Sequence, residues 1–211
     1  KIKGNEERTG RRMNQFFAML SRMKYINRWG LMRNTQSENI AEHSLDVAVL
    51  AHALALLRTR RFGVPCDAER AAVLGLFHDA TEIITGDLPT PVKYHSPEIR
   101  RAYGEVESLA ADRLLAMLPA DLRGDYAPLL AGGAPGDGAL LPLVKAADKI
   151  SAVIKCIEKR KNGNREFLAA EETLRRTIAE MRLPEADVFL AEFLPAYEQS
   201  LDELRGEDGN G

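Results

Sequence analysis

Apolar residues recur at helical spacing along most of the chain, and no stretch sustains the two-residue alternation of a half-buried strand. Asn14 is placed to cap a first helix that carries Phe16, Phe17, Leu20 and Met23 on one face. A polar loop with Asn27, Arg28, Trp29, Arg33 and Asn34 follows. Asn39, three residues before Glu42, has the spacing of a capping box and predicts a long helix to about Arg60. Asp67 opens a third helix that Gly86 ends after Thr85. The segment GDLPTPVKYHSP, with three prolines in twelve residues, predicts an extended, ordered loop. Pro97 at a first helical position starts another helix that closes before Pro119. Beyond the Gly-rich GGAPGDG, helices are expected over about 140–161, 165–182 and 184–204, the last kinked at Pro195. The pattern is that of one all-α helical domain over residues 13–205.

Composition narrows the function classes. Hydrophobic residues at 45% and charged residues at 28% are ordinary for a folded domain and argue against intrinsic disorder. The 29 basic and 31 acidic residues leave a net charge of -2, without the basic excess of a nucleic-acid binder or polybasic membrane protein. Neither a nucleic acid polymer nor a membrane is therefore expected as a partner. The apolar stretch Val47 to Leu57 is about half the ~20 residues that span a bilayer. Cys66 and Cys156 lack C-x-x-C spacing, which excludes a zinc ribbon and suits a reducing, cytoplasmic location. Residues 1–12 are charged and lack the apolar core of a secretory signal, so they are expected to form a disordered extension. Residues 206–211 are expected to form a flexible tail.

Candidate chemistry gathers around His78-Asp79, expected inside the third helix. At about 100° per residue, Glu82 lies about 40° from His78 and about 60° from Asp79, so three ionisable groups share one face. Asp148 falls mid-helix among Leu143, Val144, Ala146, Ala147 and Ile150, where an isolated carboxylate charge is very costly and needs a partner. A cation held by His43, His78, Asp79 and Asp148 would supply it. Two imidazoles and two carboxylates suit a divalent transition metal. Taken singly, His43 also reads as a helix-start histidine, Asp148 as a paired core acid, and Trp29 as a core or interface residue.

The pattern H…HD…D resembles the HD-domain metal-dependent phosphohydrolases. The phrases INRWGLMRN, ENIAEHSL, FHDATEIITGDLPTPVKY and LVKAADKISAVIKCIE closely resemble their bacterial 5′-deoxynucleotidase branch, from about Asn14 to Leu204. The resemblance implies an HD-domain helical bundle that hydrolyses deoxyribonucleoside 5′-monophosphates to deoxynucleoside and phosphate. It also implies a divalent metal, Mn or Co, and a homodimer. Its metal ligands fall on His43, His78, Asp79 and Asp148, and its substrate pair on Arg28 and Trp29. Its acid/base glutamate falls on Glu82, and its substrate loop on Asp87, Leu88, Pro89 and Thr90. His43, Asp79 and Asp148 then face both metal and substrate. Asp87 would contact the sugar hydroxyl or assist the leaving oxygen.

Two other readings stand beside this one: an HD phosphodiesterase on cyclic or polyphosphorylated nucleotides, and a non-catalytic nucleotide-binding HD module. Arg28-Trp29 and the GDLPTP loop favour the monoester. His52, about 180° from His43 on one helix, should point away from the site. His95 and Lys93 are left open between loop positions and substrate contacts.

Overall fold

The long helix α2 (Ile40–Phe62) is set at its start by the expected capping box. The Asn39 side chain accepts from the backbone of Ala41 and Glu42, and Glu42 Oε2 accepts from Asn39 N at 3.2 Å. It ends at Gly63, whose φ of 67° is the left-handed conformation that glycine adopts freely. In the computed structural model, residues 14–33, 36–93 and 95–206 are described. The expected extension 1–12 and residues 207–211 of the expected tail lie outside them. Among the described residues the chain is all-α, with extended pairing confined to an isolated bridge between Asn27 and Asn39.

α2 is the central helix. By length and composition alone it could cross a bilayer, with a mean hydropathy of 1.5 in its most apolar window, but 56% of that window is buried within the fold. Val47, Leu50, Ala51 and Leu54 pack against α3 (Ala68–Phe77) and α8 (Leu141–Lys161). α8 contributes Leu143, Ala147, Ile150, Val153 and Ile157 to this core. α9 (Leu168–Glu180) and α10 (Pro184–Glu192) close it through Ile178, Ala186 and Phe189. A smaller cluster joins Phe16, Ala80, Leu114, Leu118 and Leu130. It lies between α1 (Phe16–Leu20), α6 (Pro97–Ala116) and α7 (Arg123–Leu130).

Several expected boundaries move. Asn14 does not cap α1, which begins after Gln15 without a side-chain cap, and the chain tightens into a 3-10 turn over Ser21–Tyr25. The reason lies just beyond: Ile26 becomes extended, and its carbonyl accepts from Ile40 N at 3.0 Å. The third helix breaks at the motif. α3 ends at Phe77, and the shorter α4 (Glu82–Thr85) follows a turn. His78 Nδ1 donates to Gly75 O at 2.7 Å, the carbonyl that Asp79 N would use in an unbroken helix. His78 and Asp79 therefore stand at a helix junction, not inside a helix.

The proline-rich segment is ordered but not wholly extended. It forms the short α5 (Thr90–Lys93), with Pro91 in the first turn, where no N–H is required. α6 begins as expected at Pro97, with Ser96 capping Ile99 N. α7 was not expected, and it carries Pro128 inside it, where a proline removes one backbone N–H from the helical ladder. The C-terminal stretch is not one kinked helix. After α10 a 3-10 turn carries Pro195, and a new capping box at Ser200 starts α11 (Leu201–Arg205).

Candidate active site

The first turn of α2, the α3–α4 junction and the middle of α8 meet at one point. His43 Nε2 lies 3.1 Å from Asp148 Oδ1 and 3.6 Å from Asp79 Oδ2, and His78 Nε2 lies 3.1 Å from Asp79 Oδ2. Donor atoms of His43, His78 and Asp79 all fall within 4.8 Å of one another, with Asp148 alongside His43. Each imidazole is oriented from its far side. His43 Nδ1 is 3.1 Å from Ser151 Oγ on α8, and Gly75 O accepts from His78 Nδ1. That bond makes Nδ1 a donor and turns Nε2 inward, where it is buried 3.1 Å from Asp79 Oδ2 without hydrogen-bond geometry. An inward-facing, under-satisfied imidazole nitrogen beside a second imidazole and two carboxylates is a donor set that fits a divalent transition metal.

The electrostatics fit a cation as well. Burial opposes charge on the His78 ring, but the Asp79 carboxylate outweighs it and raises the imidazole to about 9. Burial would lift Asp79, yet the neighbouring imidazoles, His78 foremost, hold it below the usual carboxylate range. Asp148, also buried, is pulled well below that range by its bond to His43 and by the Lys149 ammonium. The two carboxylates thus draw positive charge into the centre.

Arg28 and Trp29 reach this centre through the Asn27–Asn39 bridge. Arg28 Nη1 donates to Asp79 Oδ2 at 3.1 Å and Arg28 Nε to Glu38 Oε2 at 3.2 Å. Burial disfavours the guanidinium, but the charges of Asp79, Asp148, Glu38 and Asp87 hold it protonated more strongly than usual. Trp29 has a φ of 60°, a conformation that bulky residues rarely adopt and that costs about 1–3 kcal/mol. Its Nε1 donates to the same Glu38 oxygen at 3.2 Å, and its ring centroid lies 5.3 Å from that of Phe167.

Glu82 is 3% exposed. Lys93 Nζ donates to its Oε1 at 3.3 Å, whereas Oε2 is buried without a partner. Burial first, then the charge of Asp79, pushes the Glu82 carboxyl up to about 8, and Lys93 opposes the rise. Lys93 also lies 3.2 Å from Glu107 Oε1 and sits over the Tyr103 ring at 4.6 Å. It is therefore a partner of Glu82, which is neither of the two roles left open above. Asp87, Leu88 and Pro89 are half-buried between α4 and α5, while Thr90 is exposed. Asp87 acts on the site by charge, raising both Arg28 and Glu82.

His52 is half-buried and outside the donor cluster. His95 is exposed and lines an open groove of about 560 Å³ with Ser96, Pro97, Arg100 and Arg101, apart from the cluster residues. Sequence reasoning missed Glu38 and Ser151. Glu38 could have been noticed as an acid directly before a cap residue in an otherwise polar loop, whereas Ser151, three residues from Asp148, carried no signal.

The family model of YfbR-like 5′-deoxynucleotidases matches residues 15–197. The 5′-deoxynucleotidase YfbR of Photorhabdus temperata is 48% identical over 192 residues, covering 91% of this chain and 97% of that protein. A 5′-deoxynucleotidase of Vibrio vulnificus is 48% identical over 191 residues, covering 90% and 98%. Among solved structures, an HD-domain phosphohydrolase from Listeria innocua superposes with a TM-score of 0.73 at 26% identity, covering 92% of this chain and 96% of that one. The cyanophage S-2L HD phosphohydrolase DatZ, bound to dA and one catalytic zinc ion, shares the fold with a TM-score of 0.62 at 22% identity, covering 87% and 96%.

Proposed function

This chain belongs to the YfbR-like 5′-deoxynucleotidase family, and we propose that it hydrolyses deoxyribonucleoside 5′-monophosphates at the centre built from His43, His78, Asp79 and Asp148. The observation that carries the reading is the meeting of that donor set with Arg28, bonded to Asp79, and with the buried Glu82. The four residues would hold a divalent metal, for which Mn or Co is our choice. When bound, the metal supplies charge neutralisation for a phosphoryl oxygen and a water of lowered pKa.

The remaining roles belong to the chain's own groups. The planar guanidinium of Arg28 suits phosphate oxygens, and its bond to Asp79 keeps it aimed at the centre. Glu82 has one oxygen tied to Lys93 and one untied, a division that suits a carboxylate taking a proton from the attacking water. As that water adds to phosphorus and the bond to the 5′-oxygen breaks, the departing oxygen needs a proton. Asp87, with the loop through Leu88, Pro89 and Thr90, is assigned to the sugar and to that oxygen. Trp29 is the flat wall that disfavours a ribose 2′-hydroxyl.

We extend the proposal to a homodimer in the cytoplasm, acting on free nucleotides rather than on nucleic acid polymers or membranes. Family membership, the free thiols Cys66 and Cys156 and the net charge of -2 support this. The test is phosphate release from paired dNMP and NMP substrates across a panel of divalent metals. Release from dNMPs that chelation abolishes is expected; no release with any metal would overturn the reading.

A further inference from the structure

Glu38 has no role in the scheme above, yet it joins two of its parts. It is 6% exposed, and its single oxygen Oε2 accepts from both Arg28 Nε and Trp29 Nε1, each at 3.2 Å. Its backbone carbonyl also accepts from Arg28 N at 2.8 Å. Arg28 Nη1 continues to Asp79 Oδ2, so an indole–carboxylate–guanidinium–carboxylate chain runs from Trp29 to the donor cluster. Lys155 Nζ stands 3.8 Å from the other oxygen, Oε1. Both ends of the Glu38 carboxylate are thus addressed by nitrogen donors, and a carboxylate can serve them all because both its oxygens only accept. A glutamine would offer one accepting oxygen and turn an N–H toward a cation. The backbone of Trp29, at a φ of 60°, lies where bulky side chains rarely settle, so the pose of this ring has to be held by its surroundings.

We infer that Glu38 is a specificity-determining positioning residue. It locks the Trp29 ring and the Arg28 guanidinium into one unit, so that rejection of a ribose 2′-hydroxyl depends on a carboxylate that touches no substrate atom. The inference rests on the 5′-deoxynucleotidase reading. It separates Glu38 from an ordinary buried ion pair, whose loss would lower stability without changing the choice of sugar.

The experiment compares wild type, Glu38→Gln, Trp29→Phe and the double variant, each metal-loaded and checked for helical content and thermal stability. KM and kcat are measured on dAMP and AMP. Trp29 is the only tryptophan in the chain, so emission and anisotropy report this ring alone. Folded Glu38→Gln should show red-shifted emission, lower anisotropy and a dAMP/AMP preference reduced by about tenfold or more, mostly through KM. Trp29→Phe, which keeps a ring but loses the N–H, should also lose preference, and adding Glu38→Gln to it should matter less than in wild type. An unchanged preference or unchanged emission in folded Glu38→Gln overturns the inference. Should that variant not fold, full discrimination by Trp29→Phe overturns it instead. A wild type that releases no phosphate from dAMP with any metal overturns the underlying reading and this role with it. An unchanged preference in an active enzyme strikes the Glu38 role alone.

Discussion

Arg28 Nη1 donates to Asp79 Oδ2 at 3.1 Å across 51 positions of chain, tying the loop before α2 to the α3–α4 junction. The same guanidinium reaches Glu38 through Nε, so it bridges a buried and a half-buried carboxylate with separate nitrogens. A lysine ammonium, a single point on a flexible stem, cannot reproduce that fork. Arg28→Lys should therefore keep the charge but lower kcat/KM on dAMP by about 10–100-fold. Steady-state kinetics beside thermal melting will check this, and near-wild-type kinetics would show that the fork is not used.

Asp79 and Asp148 are both held ionised in the centre, and a divalent cation should stabilise the fold by binding there. At a free metal concentration of about 100 times Kd, the linkage is about 2.7 kcal/mol. For a chain of this size that corresponds to a rise in Tm on the order of 5–10 °C. The rise should appear when Mn or Co is added to chelated protein and vanish in Asp148→Asn. Equal melting of chelated and metal-loaded wild type would count against a bound metal.

Glu82, raised to about 8 by burial and then by the charge of Asp79, makes stability of the metal-free protein depend on pH. The folded state keeps a proton that the unfolded chain releases near 4.5, so the contribution is full below that value and is lost as pH rises through about 8. Glu82→Gln cannot titrate. Its Tm should gain on that of metal-free wild type, by up to a few kcal/mol of stability, between pH ~5 and ~9. A constant difference in Tm across that range would show that Glu82 is not buried as a titrating acid. The same variant, loaded with metal, should lose most of its turnover.

Lys93 Nζ, 3.3 Å from Glu82 Oε1, works against that rise. Removing the ammonium in Lys93→Met should move Glu82 further up. The acid limb of kcat/KM against pH should then shift to higher pH, on the order of one unit. A shift to lower pH, or none, would show that this pair does not tune the base.

Helix starts at Asn39, Asp67 and Pro97 were legible because a cap or a fixed φ acts on the backbone beside it. The meeting of His43, His78, Asp79 and Asp148 was legible only through residue type and resemblance, since α2, the α3–α4 junction and α8 supply the donors. The break at His78 was not legible. It depends on a side chain taking the Gly75 carbonyl, a local competition that helical periodicity does not register. Glu38 escaped for another reason: its partners lie nine and ten residues upstream and reach it through the isolated Asn27–Asn39 bridge. α7 carries an internal Pro128, a residue that reads as a helix breaker in sequence, so no periodic signal marks it.

Gly75 joins core and site, and two alanine substitutions separate its roles from ordinary helix propensity. A Cβ there would meet the Ala48 Cα at 3.0 Å and Ala48 N and Val47 O at 3.1 Å, all backbone of α2. Nothing in that contact can rotate away, so Gly75→Ala must push α3 off α2, at about 1–3 kcal/mol. The shift carries the Gly75 carbonyl with it, and with that the anchor of His78 Nδ1. Metal affinity should fall about 10–100-fold, the usual consequence of disturbing a ligand's supporting bond. Gly104, exposed within α6, has open space where its Cβ would stand. Gly104→Ala should stabilise by about 0.4–1 kcal/mol and leave metal affinity unchanged. Melting and metal titration on the two variants separate close approach from propensity. A stabilised Gly75→Ala with intact metal binding would show that α2 and α3 do not need this glycine.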